Sequence, residues 1–159
     1  MEPLLFFYAM KWLSFLWLTA FCLLYSISAA TAAENWKTYE GSGFSILLPP
    51  GIKAESSRLI DFVLVDFTHG KRGFLNCYVG YAASFPGTED PSAESSSEKI
   101  NGIKVKVVTH HSRDKSIPLK EYFFERPIEK HPDLHIWYGN LSGQDLVNAE
   151  KAIHSIRWK

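Results

Sequence analysis

The stretch LIDFVLVDFTHGKRGFLNCYVGYAA, residues 59–83, decides the fold. Two runs rich in β-branched and aromatic residues, 59–68 and 74–83, flank the loop His69–Gly73, which contains two glycines. Runs of this kind that are joined by a short Gly-containing loop predict a β-hairpin. Because apolar residues stand at adjacent positions, as in Val63-Leu64-Val65, we expect both strands to lie in the middle of a sheet covered on both faces.

Glycine and proline delimit further short strands on either side of this hairpin. Upstream, Gly41-Ser42-Gly43 and Pro49-Pro50-Gly51 bracket an apolar run and predict strands at 36–39 and 44–48. Downstream, Asn101-Gly102 is typical of a tight turn. We predict that a surface loop at 85–99 precedes this turn, and that strands follow it at 103–107, 117–125 and 134–139.

The C-terminus changes from a period of two to a period near 3.6. Ser142 is a suitable N-cap residue, and one helical face is traced by Leu146, Ala149, Ile153 and Ile156. We therefore predict an α+β domain, an antiparallel sheet of about six strands with a C-terminal helix packed on one face.

The N-terminus has the composition of a secretory signal peptide, predicted at residues 1–33. A start at Met10 supplies the basic residue that this pattern requires, and Ala30-Thr31-Ala32 supplies a cleavage site. Residues 34–159 are then a single exported domain, periplasmic or secreted. The alternative is an uncleaved N-terminal membrane anchor that carries the exported domain, because the apolar segment is long enough to span a bilayer.

Charge and motif content exclude several classes of function. The chain has 17 Lys plus Arg against 17 Asp plus Glu, which argues against nucleic acid and anionic membranes as partners. After cleavage we expect no stable membrane insertion. We find no catalytic motif and predict no catalytic residues and no cofactor; the carboxylates Glu121 and Glu125 are expected to be solvated. An enzyme is the less favoured interpretation.

Histidine spacing leaves one chemical alternative open, a metal-binding protein or metal-dependent enzyme. The segment at 131–135 contains His131, Asp133 and His135, and His110 can approach from a neighbouring strand. Three or four converging ligands of these types form a divalent-metal site. The competing interpretation is that these are polar histidines at strand ends and turns.

Aromatic residues are concentrated on two strands predicted to be neighbours. If the helix covers one face only, Tyr122, Phe124 and Trp137 form a partly exposed patch that binds a partner. The alternative is that they form a second core layer, since large apolar residues are usually buried.

The order of these elements resembles the PsbP-like superfamily, which includes the exported bacterial DcrB-type proteins. The resemblance rests on Trp36 with Tyr39, Gly43–Gly51, Ile100-Asn101-Gly102, Ser142–Ala152 and Ser155-Ile156-Arg157. It implies a PsbP-like domain that binds or assembles with a partner. We expect that partner to be another envelope protein, bound through the sheet face and the loop Thr88–Lys99.

Overall fold

The structure is a computed structural model that describes residues 35–81, 91–111, 119–125 and 132–159. The predicted signal peptide at 1–33, with its possible start at Met10, lies outside the described residues. Within the described ranges, the only helix is too short and too polar to cross a membrane.

The described residues form antiparallel strands and one helix. Strands β1, β2 and β10 form a three-stranded sheet in the order β1-β2-β10. The other seven form a second sheet in the order β3-β4-β5-β9-β8-β7-β6. The bounds are β1 Lys37–Glu40, β2 Phe44–Leu48, β3 Ile52–Arg58, β4 Phe62–His69, β5 Arg72–Gly80, β6 Glu94–Ile100, β7 Ile103–Thr109, β8 Lys120–Phe124, β9 Asp133–Tyr138, α1 Gly143–His154 and β10 Arg157–Trp158.

The predicted α+β domain with about six strands is wrong, because the described chain is mostly β and its larger sheet alone has seven strands. The prediction missed β3 and β6, which are the two outer strands of that sheet. An outer strand with little buried surface shows no apolar alternation, and both strands are mainly exposed. Residues 94–99 of the predicted loop therefore belong to a strand, while residues 88–90 lie outside the described ranges.

The central hairpin is confirmed. Strand β4 pairs with β5 in a register that places Val65 opposite Cys77, and Gly70-Lys71 connects the two strands. The Cys77 side chain is 1% exposed. Cys77 is therefore a small core residue, and its burial raises the pKa of the thiol.

The predicted Asn101-Gly102 turn is also confirmed, and it has a second role. Asn101 and Gly102 have φ angles of 49° and 84°, the left-handed conformation that a two-residue hairpin turn requires. The Asn101 amide donates hydrogen bonds to the backbone carbonyls of His154 at 2.9 Å and Ile156 at 2.7 Å. The turn between β6 and β7 thus satisfies carbonyl groups at the end of α1.

The core lies between the larger sheet and a layer made of α1 and the small sheet. Ala149, Ala152 and Ile153 of α1 are fully buried. In the small sheet, the Tyr39 ring meets Phe67 of β4 edge-on, with ring centroids 5.1 Å apart. We call the side of the seven-stranded sheet that carries α1 the helix face, and the opposite side the far face.

Candidate functional site

Strand register assigns the predicted site residues on β8 and β9 to one face or the other of the larger sheet. Residues that stand opposite each other in an antiparallel pair point to the same side. Tyr122 stands opposite Ile136, which stands opposite Cys77, and this row lies on the helix face. Glu121 stands opposite Trp137, which stands opposite Asn76, and this row lies on the far face.

The structure does not bring the three predicted binding aromatics onto one surface. Tyr122 and Phe124 point to the helix face and are 0% and 3% exposed. Trp137 is half-buried on the far face, because its neighbour Ile136 is the residue that stands opposite Tyr122. Two of the three side chains therefore belong to the core, and Trp137 alone is accessible to a partner.

Tyr122 takes part in a polar cluster beneath the helix. Its hydroxyl donates to a Glu150 carboxylate oxygen at 2.5 Å, the Tyr138 hydroxyl donates to the same carboxylate, and Lys120 Nζ donates at 3.1 Å. Burial and the adjacent carboxylate raise the pKa of both tyrosines. Burial alone would raise the pKa of Glu150, but the three donors outweigh it and lower that pKa. We call these four residues the Glu150 cluster.

A second polar cluster is buried on the far face. Nε2 of His110 lies 2.6 Å from Oε1 of Glu121, and Nε2 of His135 lies 2.8 Å from the other oxygen, Oε2. The three residues are 2%, 3% and 0% exposed in the order His110, His135 and Glu121. Glu121 lies on β8 and His135 on the neighbouring strand β9, while His110 directly follows β7 on the other side, so a single carboxylate bridges both imidazoles. We call this group the His–Glu–His cluster.

This geometry changes the interpretation of the predicted metal ligands. Of the four, His110 and His135 are brought together, but each contacts Glu121 at hydrogen-bonding distance. Asp133 is half-buried on β9, and His131 lies outside the described residues. Within the described ranges, no group of three or more His, Cys, Asp or Glu side chains is arranged to hold a metal ion. Metal binding through the full set stays a prediction.

Glu121 is the functional candidate that the sequence interpretation misplaced, since it was expected to be solvated like Glu125. Glu125 is exposed and pairs with Lys104 at 2.7 Å, whereas Glu121 has no exposed surface. The segment Glu121–Phe124 is buried at every position, so β8 is covered on both faces. One sequence signal of this burial was available. Glu121 directly precedes consecutive aromatic residues, and its strand was expected to neighbour one that contains a histidine.

Aromatic stacking connects the His–Glu–His cluster to a more accessible part of the far face. The His135 ring lies 4.0 Å from the Phe123 ring and 4.6 Å from the Trp137 ring, measured between centroids. Phe123 is buried, whereas Trp137 is half-buried. Exposure on the far face thus rises from the buried pair Phe123 and His135 to Trp137 at the next far-face position of β9.

Half-buried side chains also lie on the far face of the next two strands. Tyr78 of β5 stands opposite His135, and Leu64 of β4 stands opposite Tyr78; both are half-buried, as is Asn76, which stands opposite Trp137. We call Leu64, Asn76, Tyr78 and Trp137 the open patch of the far face. It joins three large side chains with aromatic or aliphatic surface to one amide that can donate and accept hydrogen bonds.

The chemistry available to these groups differs across the face. In the His–Glu–His cluster both carboxylate oxygens already contact an imidazole, and all three side chains are sealed from solvent. The open patch offers contact surface and two polar groups, the Asn76 amide and the Tyr78 hydroxyl, which can donate and accept hydrogen bonds.

No family model matches the chain, and no curated protein matches it. The fold and the site therefore define it as a mainly β domain with a polar cluster buried on one face of its larger sheet. The resemblance to the PsbP-like superfamily stays a prediction.

Proposed function

We propose that this protein is an exported, non-catalytic module that binds another envelope protein through the open patch. The observation that carries the proposal is that the side chains of Leu64, Tyr78 and Trp137 are half-buried and lie on one face of the sheet, in two neighbouring rows. Partly exposed aromatic side chains are enriched at protein interfaces, where they supply large contact area.

The buried groups beside the patch support binding because they hold it in one conformation. Trp137 packs against His135, whose Nε2 is fixed by Glu121. A surface that is already ordered loses less conformational entropy when a partner binds. The His–Glu–His cluster then acts as a rigid support for Trp137.

The helix face is not available to a partner, which leaves the far face of the larger sheet as the binding surface. It is occupied by α1 and the small sheet, and its side chains Tyr122, Ile136 and Cys77 are each at most 1% exposed. The zero net charge of the chain favours a partner recognised by shape and aromatic contact.

The reactive groups that the structure describes favour binding over catalysis. Burial raises the pKa of the Cys77 thiol, which leaves little thiolate to act as a nucleophile. A general acid or base must lie within hydrogen-bond reach of its substrate, and the His–Glu–His cluster is at most 3% exposed.

The test is capture of the partner by the full chain with a C-terminal tag, cross-linked in the native host and identified by mass spectrometry. Asn76→Arg and Leu64→Glu place charges on the open patch, and each should reduce the yield of cross-linked partner at least about tenfold. Val147→Glu on α1 is the matched control, because Val147 is an exposed apolar residue at a distance from that face, 59% exposed.

Two results would contradict the proposal. The first is a cross-linked partner whose yield is the same for both open-patch variants and for the control. The second is stoichiometric zinc in the purified protein that a His131/His135 double alanine variant loses, which would favour the metal-binding alternative.

A further inference from the structure

An isoleucine, Ile60, lies in the exposed turn between β3 and β4, where it makes no contribution to the described core. The Leu59 N–H donates to the Phe62 carbonyl at 2.9 Å, which leaves Ile60-Asp61 as the two residues of the turn. Gly, Asn, Asp and Ser dominate such turns because of their backbone preferences. Ile60 is 100% exposed, so its apolar side chain contributes nothing to the described core.

Other apolar surface surrounds this residue. Leu59 is 50% exposed and Tyr81 is 62% exposed, and both line a cleft of about 300 Å³ with Ile60. Part of the cleft wall is formed by Val63 and Val79. A fully exposed apolar side chain and a cleft with both apolar and charged lining residues therefore lie on the same patch, which we call the β3–β4 tip.

Two opposite charges flank the protruding side chain. Arg58 precedes the turn and Asp61 is its second residue, and both are exposed. A patch that carries one charge of each sign can face a copy of itself across a two-fold axis, so that each arginine meets an aspartate. The patch is therefore complementary to itself in charge, in addition to combining a protrusion with a recess.

From these observations we propose that the β3–β4 tip joins two copies of this chain in a two-fold symmetric dimer. Ile60 of each copy enters the cleft of the other, and Arg58 of each copy faces Asp61 of the other. Because the protrusion and the recess lie on one patch, the contact closes after two copies and does not extend into a fibre. The zero net charge of the chain adds little long-range repulsion between the copies.

The size of the tip predicts a weak association. Stable interfaces bury about 1,200–2,000 Å² in total, more than a single hairpin turn and its neighbours supply. We therefore expect a dimer that dissociates on dilution within the micromolar range. This dimer does not depend on the proposed function, since none of the four residues of the open patch is part of the turn.

Analytical ultracentrifugation tests the dimer. The sample is the protein purified from its native host, in the form that the host produces. The wild type should change from dimer to monomer on dilution. Ile60→Glu should weaken the dimer at least about tenfold, since it replaces the apolar side chain that enters the cleft with a charged one that lies near Asp61 of the other copy. Val147→Glu is the matched control and should behave as the wild type, because Val147 is also an exposed apolar residue.

Exchanging the charges of Arg58 and Asp61 is a second test of the dimer. Its expected pattern, loss in each single variant and recovery in the double variant, does not result from a general change of surface charge. Arg58→Asp alone and Asp61→Arg alone bring like charges together across the two-fold axis, so each should weaken the dimer. The double variant restores opposite charges and should recover most of the association. Circular dichroism melting curves verify that each variant is folded.

Three results would overturn the dimer. They are a wild-type protein that is monomeric at every concentration up to the millimolar range, a dimer that Ile60→Glu leaves unchanged, and a double charge variant that associates no better than the single variants.

Discussion

Glu121 is a fully buried carboxylate that lies between two buried histidines. A carboxylate that has no exposed surface needs partners for both oxygens, because burying an unpaired charge is costly. His110 and His135 supply them, one to each oxygen. For both Nε2 atoms to donate, each ring carries a proton on that nitrogen, and this fixes the orientation of both imidazoles.

We expect Glu121→Ala to be strongly destabilising. It removes the carboxylate that accepts from two buried imidazole N–H groups and leaves a cavity, so the free energy of unfolding should fall by about 3–5 kcal/mol. Urea unfolding followed by tryptophan fluorescence measures this change.

Glu125→Ala is the control for that experiment. Glu125 lies one residue beyond β8 and pairs with Lys104, but its side chain is 55% exposed. Exposed ion pairs contribute at most about 1 kcal/mol, so this variant should remain close to the wild type. Equal losses of stability in the two variants would show that the His–Glu–His cluster contributes no more than a surface pair.

At the scale of elements, the Glu150 cluster attaches α1 to the sheet. The carboxylate lies on α1, while its three donors come from two strands: Lys120 and Tyr122 from β8, and Tyr138 from β9. Lys120 Nζ also lies 4.9 Å from the Tyr122 ring centroid. These hydrogen bonds add direction to the non-directional burial of Ala149 and Ile153.

This attachment should weaken in acid. The donors lower the pKa of Glu150, so its contribution is present above the ordinary pKa of a glutamate, about 4.3, and is lost as the pH falls through the lowered value. Glu150→Gln should therefore reduce stability at pH 7 by about 1–2 kcal/mol, and its difference from the wild type should shrink below about pH 4. Urea midpoints from pH 7 to pH 2.5 measure this.

Glu40→Gln is the matched control for the acid experiment. Glu40 pairs with Lys159 at 2.5 Å, but its side chain is 57% exposed. A difference between Glu150→Gln and the wild type that stays constant down to pH 2.5 would contradict the role of the ionised carboxylate.

The same scale shows which parts of the fold could be predicted from sequence. The β4–β5 hairpin, the Asn101-Gly102 turn and the C-terminal helix have buried faces or special backbone angles that restrict residue type, so their patterns were interpretable. Strands β3 and β6 have neither, because each is paired on one edge only and is mainly exposed. Serine-rich and charged residues are tolerated there, and the same residues are typical of a loop.

The candidate site was partly predictable for a related reason. Alternation along β8 and β9 shows which residues share a face, but the register between the strands decides which residues meet. The register that places Trp137 opposite Glu121 separates Trp137 from Tyr122, and it is fixed by pairing that neither strand reveals alone. The aromatic residues that follow Glu121 on β8 signalled its burial, but the two imidazoles that meet its oxygens come from the segments on either side of β8 and could not be assigned from that strand alone.

At the scale of the whole molecule, several weakly acidic side chains are buried or half-buried, which favours their neutral forms. Tyr39, Tyr122 and Tyr138 lie between the larger sheet and the layer that covers its helix face, and Cys77 lies in the middle of β5. Burial raises the pKa of all four groups, and for Tyr122 and Tyr138 the Glu150 carboxylate raises it further. These groups bind their protons more tightly in the folded protein than in the unfolded chain.

This distribution predicts a loss of stability in alkali. A group whose pKa is raised by folding stabilises the fold below its unfolded pKa, and the contribution declines as the pH rises toward the folded value. The ordinary values are 9.0 for the thiol and 10.0 for the phenols. The free energy of unfolding should fall from about pH 9 upward, by about 1.4 kcal/mol per pH unit for each such group once its unfolded form is ionised. Cys77→Ala should delay the onset of this loss, and Tyr138→Phe should reduce its slope above pH 10, as measured by urea midpoints from pH 7 to pH 11.

Tyr81→Phe is the control for the alkaline experiment, because Tyr81 is 62% exposed and its replacement leaves the buried phenols in place. A stability that stays level between pH 8 and pH 11, or a slope that Tyr81→Phe reduces as much as Tyr138→Phe does, would contradict the burial of these groups as the cause.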